Sequence, residues 1–125
     1  YTGGKLFIPT ISSIKSVELI RNAKLKGLQI ITSVSINNLF FNEKKLINFD
    51  TRFKVLPPIR TEKDRLVLVK ALSDGTIDFV TSDHAPIDID NKKTDFKNSL
   101  FGATGLESIF GALNSIYKTE EELIF

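Results

Sequence analysis

At 125 residues, 42% hydrophobic and 26% charged, the chain has the length and composition of one globular domain, which excludes an intrinsically disordered protein. A formal net charge of +2, with Lys and Arg scattered along the chain, gives no basic stripe for nucleic acid or an acidic membrane surface, and no apolar run reaches the roughly 18 residues of a membrane span. The absence of cysteine excludes disulfides and thiolate sites and fits a cytoplasmic, reducing setting.

Lys5-Leu6-Phe7-Ile8 is a short apolar run ended by Pro9, which reads as a buried parallel strand. Ser12 or Ser13 can cap the helix that follows, whose Ile14, Val17, Ile20 and Ala23 share one face and which stops at Gly27. Leu28 to Val34, rich in β-branched residues, is the second strand, and Asn37-Asn38 reads as a polar turn after it. The stretch from Leu39 to Phe49 reads as a short helix and a loop. Arg52-Phe53-Lys54-Val55-Leu56 is the third expected strand, cut off by Pro57-Pro58 because proline cannot donate to a ladder.

Thr61-Glu62-Lys63-Asp64 has a capping-box pattern and opens a helix running through Leu66, Val69 and Leu72 to Gly75. Ile77 to Thr81 is the fourth expected strand, leading into Asp83, His84 and Pro86. Asp88 to Asn98 is a polar loop. Thr104 with Glu107 makes a second capping-box pattern, and Leu106, Ile109, Phe110, Leu113, Ile116 and Tyr117 form the clearest amphipathic stripe of the chain. The strands start about 24 residues apart, the cadence of repeated βα units with right-handed crossovers, and four such units make half of an eightfold barrel. The expected fold class is therefore α/β.

Two stretches carry the candidate chemistry. Val80-Thr81-Ser82-Asp83-His84-Ala85-Pro86 delivers a carboxylate to the carboxyl end of a strand, where α/β folds keep their active sites. Phe101-Gly102-Ala103-Thr104-Gly105-Leu106-Glu107 is a Gly-rich turn whose backbone can approach a ligand closely. Asp83 is a candidate catalytic or metal-binding carboxylate, or a residue that caps the turn before Pro86. His84, the single histidine, reads as a hydrogen-bonded structural residue rather than a ligand, and Asp88 and Asp90 read as solvated loop charges.

These two stretches resemble the signature near the C-terminal end of dihydroorotases, members of the metal-dependent amidohydrolase superfamily. Phe7-Ile8-Pro9-Thr10-Ile11-Ser12-Ser13 falls where that family has a His-containing strand end followed by Ser-Thr. Ser35-Ile36-Asn37-Asn38-Leu39 falls where it has Thr-Pro-His-His-Leu, and Lys54-Val55-Leu56-Pro57-Pro58-Ile59-Arg60 is similar to its Asn-Pro-Pro-Leu-Arg segment. The resemblance implies residues 1–125 as a partial barrel domain, the C-terminal half (strands five to eight) of a (β/α)8 TIM barrel of the metallo-dependent hydrolase type. A sequence that starts at Tyr1 and holds no Met is in turn expected to be a fragment of a longer chain. A half barrel is expected to need its missing N-terminal half, or another copy in a homo-oligomer.

By the same resemblance, Asp83 is both metal ligand and proton shuttle, and Phe101 and Gly102 contact the substrate. The departures are as informative. Thr10 and Asn38 stand where metal-binding histidines are expected, Leu56 replaces a substrate-contacting Asn, and Ile87 replaces a His that helps hold the substrate carboxylate. A hydroxyl or an amide oxygen is a far poorer partner for a zinc-like ion than imidazole. The implied cofactor is therefore zinc, at most one ion or none. The implied function is a dihydroorotase-like cyclic amide hydrolase that interconverts dihydroorotate and N-carbamoyl-aspartate, impaired by these replacements, with the 125-residue chain inactive alone. The alternative is a pseudoenzyme serving as scaffold or regulatory partner of aspartate carbamoyltransferase.

Overall fold

The structure is a computed structural model that describes residues 3–121. Three parallel strands, β1 (Leu6–Ile8), β2 (Ile30–Ser35) and β3 (Phe79–Thr81), form one sheet in the order β1-β2-β3. The helices are α1 (Ile14–Leu25), α2 (Ile36–Phe40), α3 (Glu62–Ser73), α4 (Ile89–Lys92) and α5 (Ile109–Thr119). β1 pairs with the first half of β2, Leu6 opposite Ile30 and Ile8 opposite Thr32. β3 pairs with its second half, Phe79 opposite Ser33 and Thr81 opposite Ser35.

Local chemistry explains where the helices begin. Ser13 is the N-cap of α1, its hydroxyl accepting the Ser16 N–H, while Ser12 lies outside the helix and accepts a hydrogen bond from the Arg60 guanidinium at 3.0 Å. Thr61 caps α3: its hydroxyl accepts the Asp64 N–H at 3.2 Å and donates to the Asp64 carboxylate at 2.6 Å. Asp64 also accepts the Ile14 N–H at 3.0 Å, so one carboxylate joins the starts of two helices. α1 packs on α3, α3 on α2, and α2 on α5.

The core lies between these helices and the sheet, where Val17, Ile20, Val34, Leu39, Leu68 and Ile77 are buried. Each such side chain stabilises the fold by about 1.5–3 kcal/mol relative to exposure. Asp78, just ahead of β3, ties the layers together by accepting the Thr32 N–H at 2.7 Å and the Lys24 ammonium at 2.9 Å. On β1 and β3, the Phe7 and Phe79 rings stack at 5.7 Å between centroids, and both stay about half exposed.

The structure corrects several readings of the sequence, among them the burial expected of β1, whose Leu6 and Phe7 are about half exposed, and the loop expected over 88–98, which contains α4. Arg52–Leu56 is not a strand: Asp50 caps a 3₁₀ turn over Thr51–Phe53, whose N–H groups close locally, and the Lys54 carbonyl accepts from Gly102 instead of a ladder partner. Asn37 and Asn38 are not an exposed turn but buried residues of the one-turn helix α2. Thr104 and Glu107 cap nothing, because α5 begins at Ile109 after Ser108. The stripe of α5 is narrower than its sequence implies: Ile116 is buried and Ile109 and Leu113 are half-buried, but Phe110 is 85% exposed.

Candidate active site at the strand ends

Because the three strands are parallel, their carboxyl ends share one edge, and the residues singled out from the sequence collect there. Thr10 lies two residues beyond β1, Asn38 in the first turn beyond β2, and Asp83 two residues beyond β3. Thr10 and Asp83 both take φ of +47°, a left-handed conformation tolerated by Asp and unusual for a β-branched Thr. Thr10 is held in it by β2: its N–H donates to the Ser33 hydroxyl at 3.0 Å, and the next N–H, of Ile11, donates to the Ser33 carbonyl at 2.9 Å.

Asn38 is almost fully buried, and its amide donates to the Pro58 carbonyl at 2.9 Å, which leaves its Oδ1 buried without a partner among the described residues. The neighbouring Asn37 Nδ2 is unpartnered in the same way. Unsatisfied buried amides of this kind are uncommon and cluster where a site is incomplete or strained. Asp83 is half-buried and engages no hydrogen bond or ion pair among the described residues.

The two halves of the signature pack directly on one another. Ala85 N–H donates to the Ala103 carbonyl at 2.9 Å, and His84 Nδ1 accepts from the N–H groups of Gly105 and Leu106 at 3.2 and 3.4 Å. An accepting Nδ1 puts the proton of the neutral ring on Nε2 and gives His84 the structural task expected of it. Glycine is required twice. A Cβ on Gly102, at φ +147°, would lie 2.5 Å from the Ala85 carbonyl oxygen, and a Cβ on Gly105 would run into the Ser82 carbonyl. Phe101 and Gly102 are thereby fixed beside the loop that carries Asp83. Leu56 is largely exposed, Ile87 lies against Gly102, and Asp88 and Asp90 are exposed as expected, but at the start and in the first turn of α4 and not in a loop.

In the sequence Lys54 stands only as part of an expected strand and of the segment ending at Arg60, yet it is the best-connected side chain of this region. Its ammonium donates to the carbonyls of Phe96, Lys97 and Ser99 at 2.8, 2.9 and 2.6 Å. Nearby, a cavity of about 430 Å³ opens between Asn37, Phe53, Ile87, Lys92 and Thr104. Burial holds the Lys92 ammonium below its ordinary pKa, and the charge of Lys54 adds to the effect.

The donors at the strand ends are one carboxylate (Asp83), one amide oxygen (Asn38) and one hydroxyl (Thr10). No group of three or more His, Cys, Asp or Glu converges among the described residues. A neutral amide oxygen and a hydroxyl bind a zinc-like ion weakly, so this donor set does not by itself fit a zinc centre.

No family model matches the chain. It is 44% identical over 114 residues to a dihydroorotase of Thermoanaerobacter sp. (strain X514), covering 91% of this chain and 26% of that protein. It is 40% identical over 103 residues to a dihydroorotase of Bacillus subtilis (strain 168), covering 82% and 24%. The chain thus spans about a quarter of the length of the curated relatives it matches. Among solved structures, it superposes on the L-hydantoinase (dihydropyrimidinase) of Arthrobacter aurescens with a TM-score of 0.84 and 26% identity, covering 93% of this chain and 27% of the other. It shares its fold with the Saccharomyces cerevisiae dihydroorotase, solved in complex with 5-fluoroorotic acid, at a TM-score of 0.80 and 17% identity, covering 96% and 35%. The chain is therefore a partial homologue of the dihydroorotases, with an α/β fold that recurs as a segment of larger amidohydrolases.

Proposed function

We propose that the chain is the C-terminal part of a dihydroorotase-type barrel, with a 3₁₀ turn at Thr51–Phe53 in place of a fourth strand, and that the whole acts on the dihydroorotate/N-carbamoyl-aspartate pair with impaired catalysis. The observation that carries this reading is the joint geometry of the signature. The Gly-rich turn is bonded to the Asp83 loop through Ala85, His84 and two glycines that admit no Cβ, while both histidine positions hold neutral side chains.

Opening a cyclic amide requires a proton to be taken from water and delivered to the departing nitrogen. Asp83 is the one carboxylate at the strand ends and the group assigned to that transfer. It sits in a left-handed turn two residues beyond β3. Phe101 and Gly102 are assigned to the pyrimidine ring, the glycine letting main-chain groups come close. Zinc is the family's metal by resemblance, and this chain's contribution to it is limited to the Asp83 carboxylate. No step is routed through the ion.

The neutral side chains at Thr10 and Asn38 also favour a second reading, a non-catalytic homologue that supports aspartate carbamoyltransferase. Two measurements on the full-length protein separate the readings. Metal analysis is expected to find at most one zinc-like ion per chain, and two would overturn the ligand argument. Hydrolysis of dihydroorotate by wild type but not by Asp83→Asn establishes the enzyme reading and sinks the scaffold. Copurification with the carbamoyltransferase, with neither variant active, establishes the reverse.

A further inference from the structure

We propose that Lys54 is a positioning residue for the Phe101–Gly102 segment, setting where that segment meets a pyrimidine ring. The inference rests on the dihydroorotase reading for its substrate but not for its geometry.

Lys54 grips the segment from both of its own ends. Its main-chain carbonyl accepts the Gly102 N–H at 3.0 Å, and its ammonium sits 4.7 Å from the centroid of the Phe101 ring. The same ammonium lies 5.5 Å from the Phe96 ring and donates to the carbonyls of residues 96, 97 and 99. An ammonium has three protons, and three carbonyls use them, so Lys54 has none left for an anion or a proton transfer. Its remaining capacity is to fold residues 96–102 around one point charge. Cation–π attraction adds to this by orienting the Phe101 ring.

Helix α4 is tied to residues 51–54 without use of the Lys54 ammonium. Lys92 donates to the Thr51 and Lys54 carbonyls, and the Thr51 hydroxyl returns a bond to the Lys92 carbonyl at 2.6 Å. Loss of the Lys54 ammonium therefore loosens the 96–102 stretch, which keeps the Leu100 N–H bond to the Asn91 carbonyl and the Gly102 N–H bond to the Lys54 carbonyl, while leaving α4 and the Gly105–His84 contact in place. Main-chain amides in the loosened stretch should open more often to solvent.

The test uses the full-length protein with Lys54→Met, which keeps the stem and removes the donors, and Lys54→Arg, which keeps charge and ring contact but not the three-carbonyl geometry. Amide exchange over residues 96–106, affinity for dihydroorotate and the global unfolding midpoint are followed together. Expected for Lys54→Met is exchange about tenfold faster in that peptide alone and dihydroorotate bound about tenfold more weakly, with any turnover number changed less than the KM. Lys54→Arg should recover part of both. Should Lys54→Met fail to fold, Lys54→Arg decides on the same readouts, expected between wild type and complete loss. Unchanged exchange, or faster exchange with unchanged affinity, overturns the proposal. A wild type that does not bind dihydroorotate refutes the dihydroorotase reading and the substrate half of this inference, while the exchange arm still decides whether Lys54 anchors the loop.

Discussion

Replacing Gly102 by alanine should be among the most damaging single-methyl changes available in this chain. The added Cβ would sit 2.5 Å from the Ala85 carbonyl oxygen and 2.8 Å from Ile87 Cγ1. Ile87 can turn aside, but the Ala85 oxygen is main chain, so one of the two strands of the loop must move. That movement strains the bonds from Ala85 N–H to the Ala103 carbonyl and from Gly102 N–H to the Lys54 carbonyl, each contributing about 1 kcal/mol. The φ of +147° adds about 1–3 kcal/mol for any side chain. The expected loss is therefore about 3–5 kcal/mol in all. Gly75→Ala is the matched control, since Gly75 also has positive φ, +77°, but a Cβ there meets nothing within 4 Å. It should lose only the conformational part, about 1 kcal/mol. Urea unfolding of both variants measures the difference, provided the slopes agree with wild type. Equal losses at the two positions, or a neutral Gly102→Ala, would refute the close approach on which the site's geometry rests.

Acid sensitivity should be traceable to Asp78. Burial raises its pKa, but the Lys24 ammonium and the Thr32 N–H outweigh that and hold it below the ordinary 3.8. A depressed folded value means stabilisation that is complete above about pH 4 and is lost as pH falls through that lower value, so Asp78→Asn should flatten the decline in stability below about pH 4. Denaturant midpoints across that range check it, and an unchanged slope contradicts the assignment. Arg65, with its side chain 11% exposed, joins Glu62, Glu120 and the Leu39 carbonyl, and so fastens α5 to α3 and α2. Arg65→Met should destabilise by about 2 kcal/mol, discounted because Glu62 is 37% exposed, and a calorimetric Tm unchanged from wild type would count against it.

The strands that were legible were those whose pattern is decided locally. Leu6–Ile8 and Phe79–Thr81 are short apolar runs with a terminator nearby, and Asp83 could be placed at a strand end because Pro86 follows it closely. Arg52–Leu56 looked the same, but its fate was set by partners more than thirty residues away, Lys92 and Gly102, which take the Lys54 carbonyl. The start of α5 was misplaced for a related reason. The N–H groups of Gly105 and Leu106, which a cap at Thr104 would have oriented into a first turn, are already bonded to His84. Asn37 and Asn38 have the composition of a turn, and only their position after a buried strand makes them helical and enclosed. Candidate site residues could be read from motif positions, whereas the loop that supports them, centred on Lys54, is a product of tertiary contacts that leave no local trace.

The divided register of β2 has a geometric outcome. β1 finishes opposite Thr32, whereas β2 and β3 finish level with each other at Ser35 and Thr81, so the upper boundary of the sheet climbs three residues, about 10 Å, in the single step from β1 to β2. The tips of β2 and β3 therefore stand side by side while that of β1 sits about three residues lower. Thr10 and Asp83 each follow their strand by two residues, so the chain leaves β1 and β3 through left-handed turns at two different heights, and the lower one is where the carboxyl edge of the sheet is recessed.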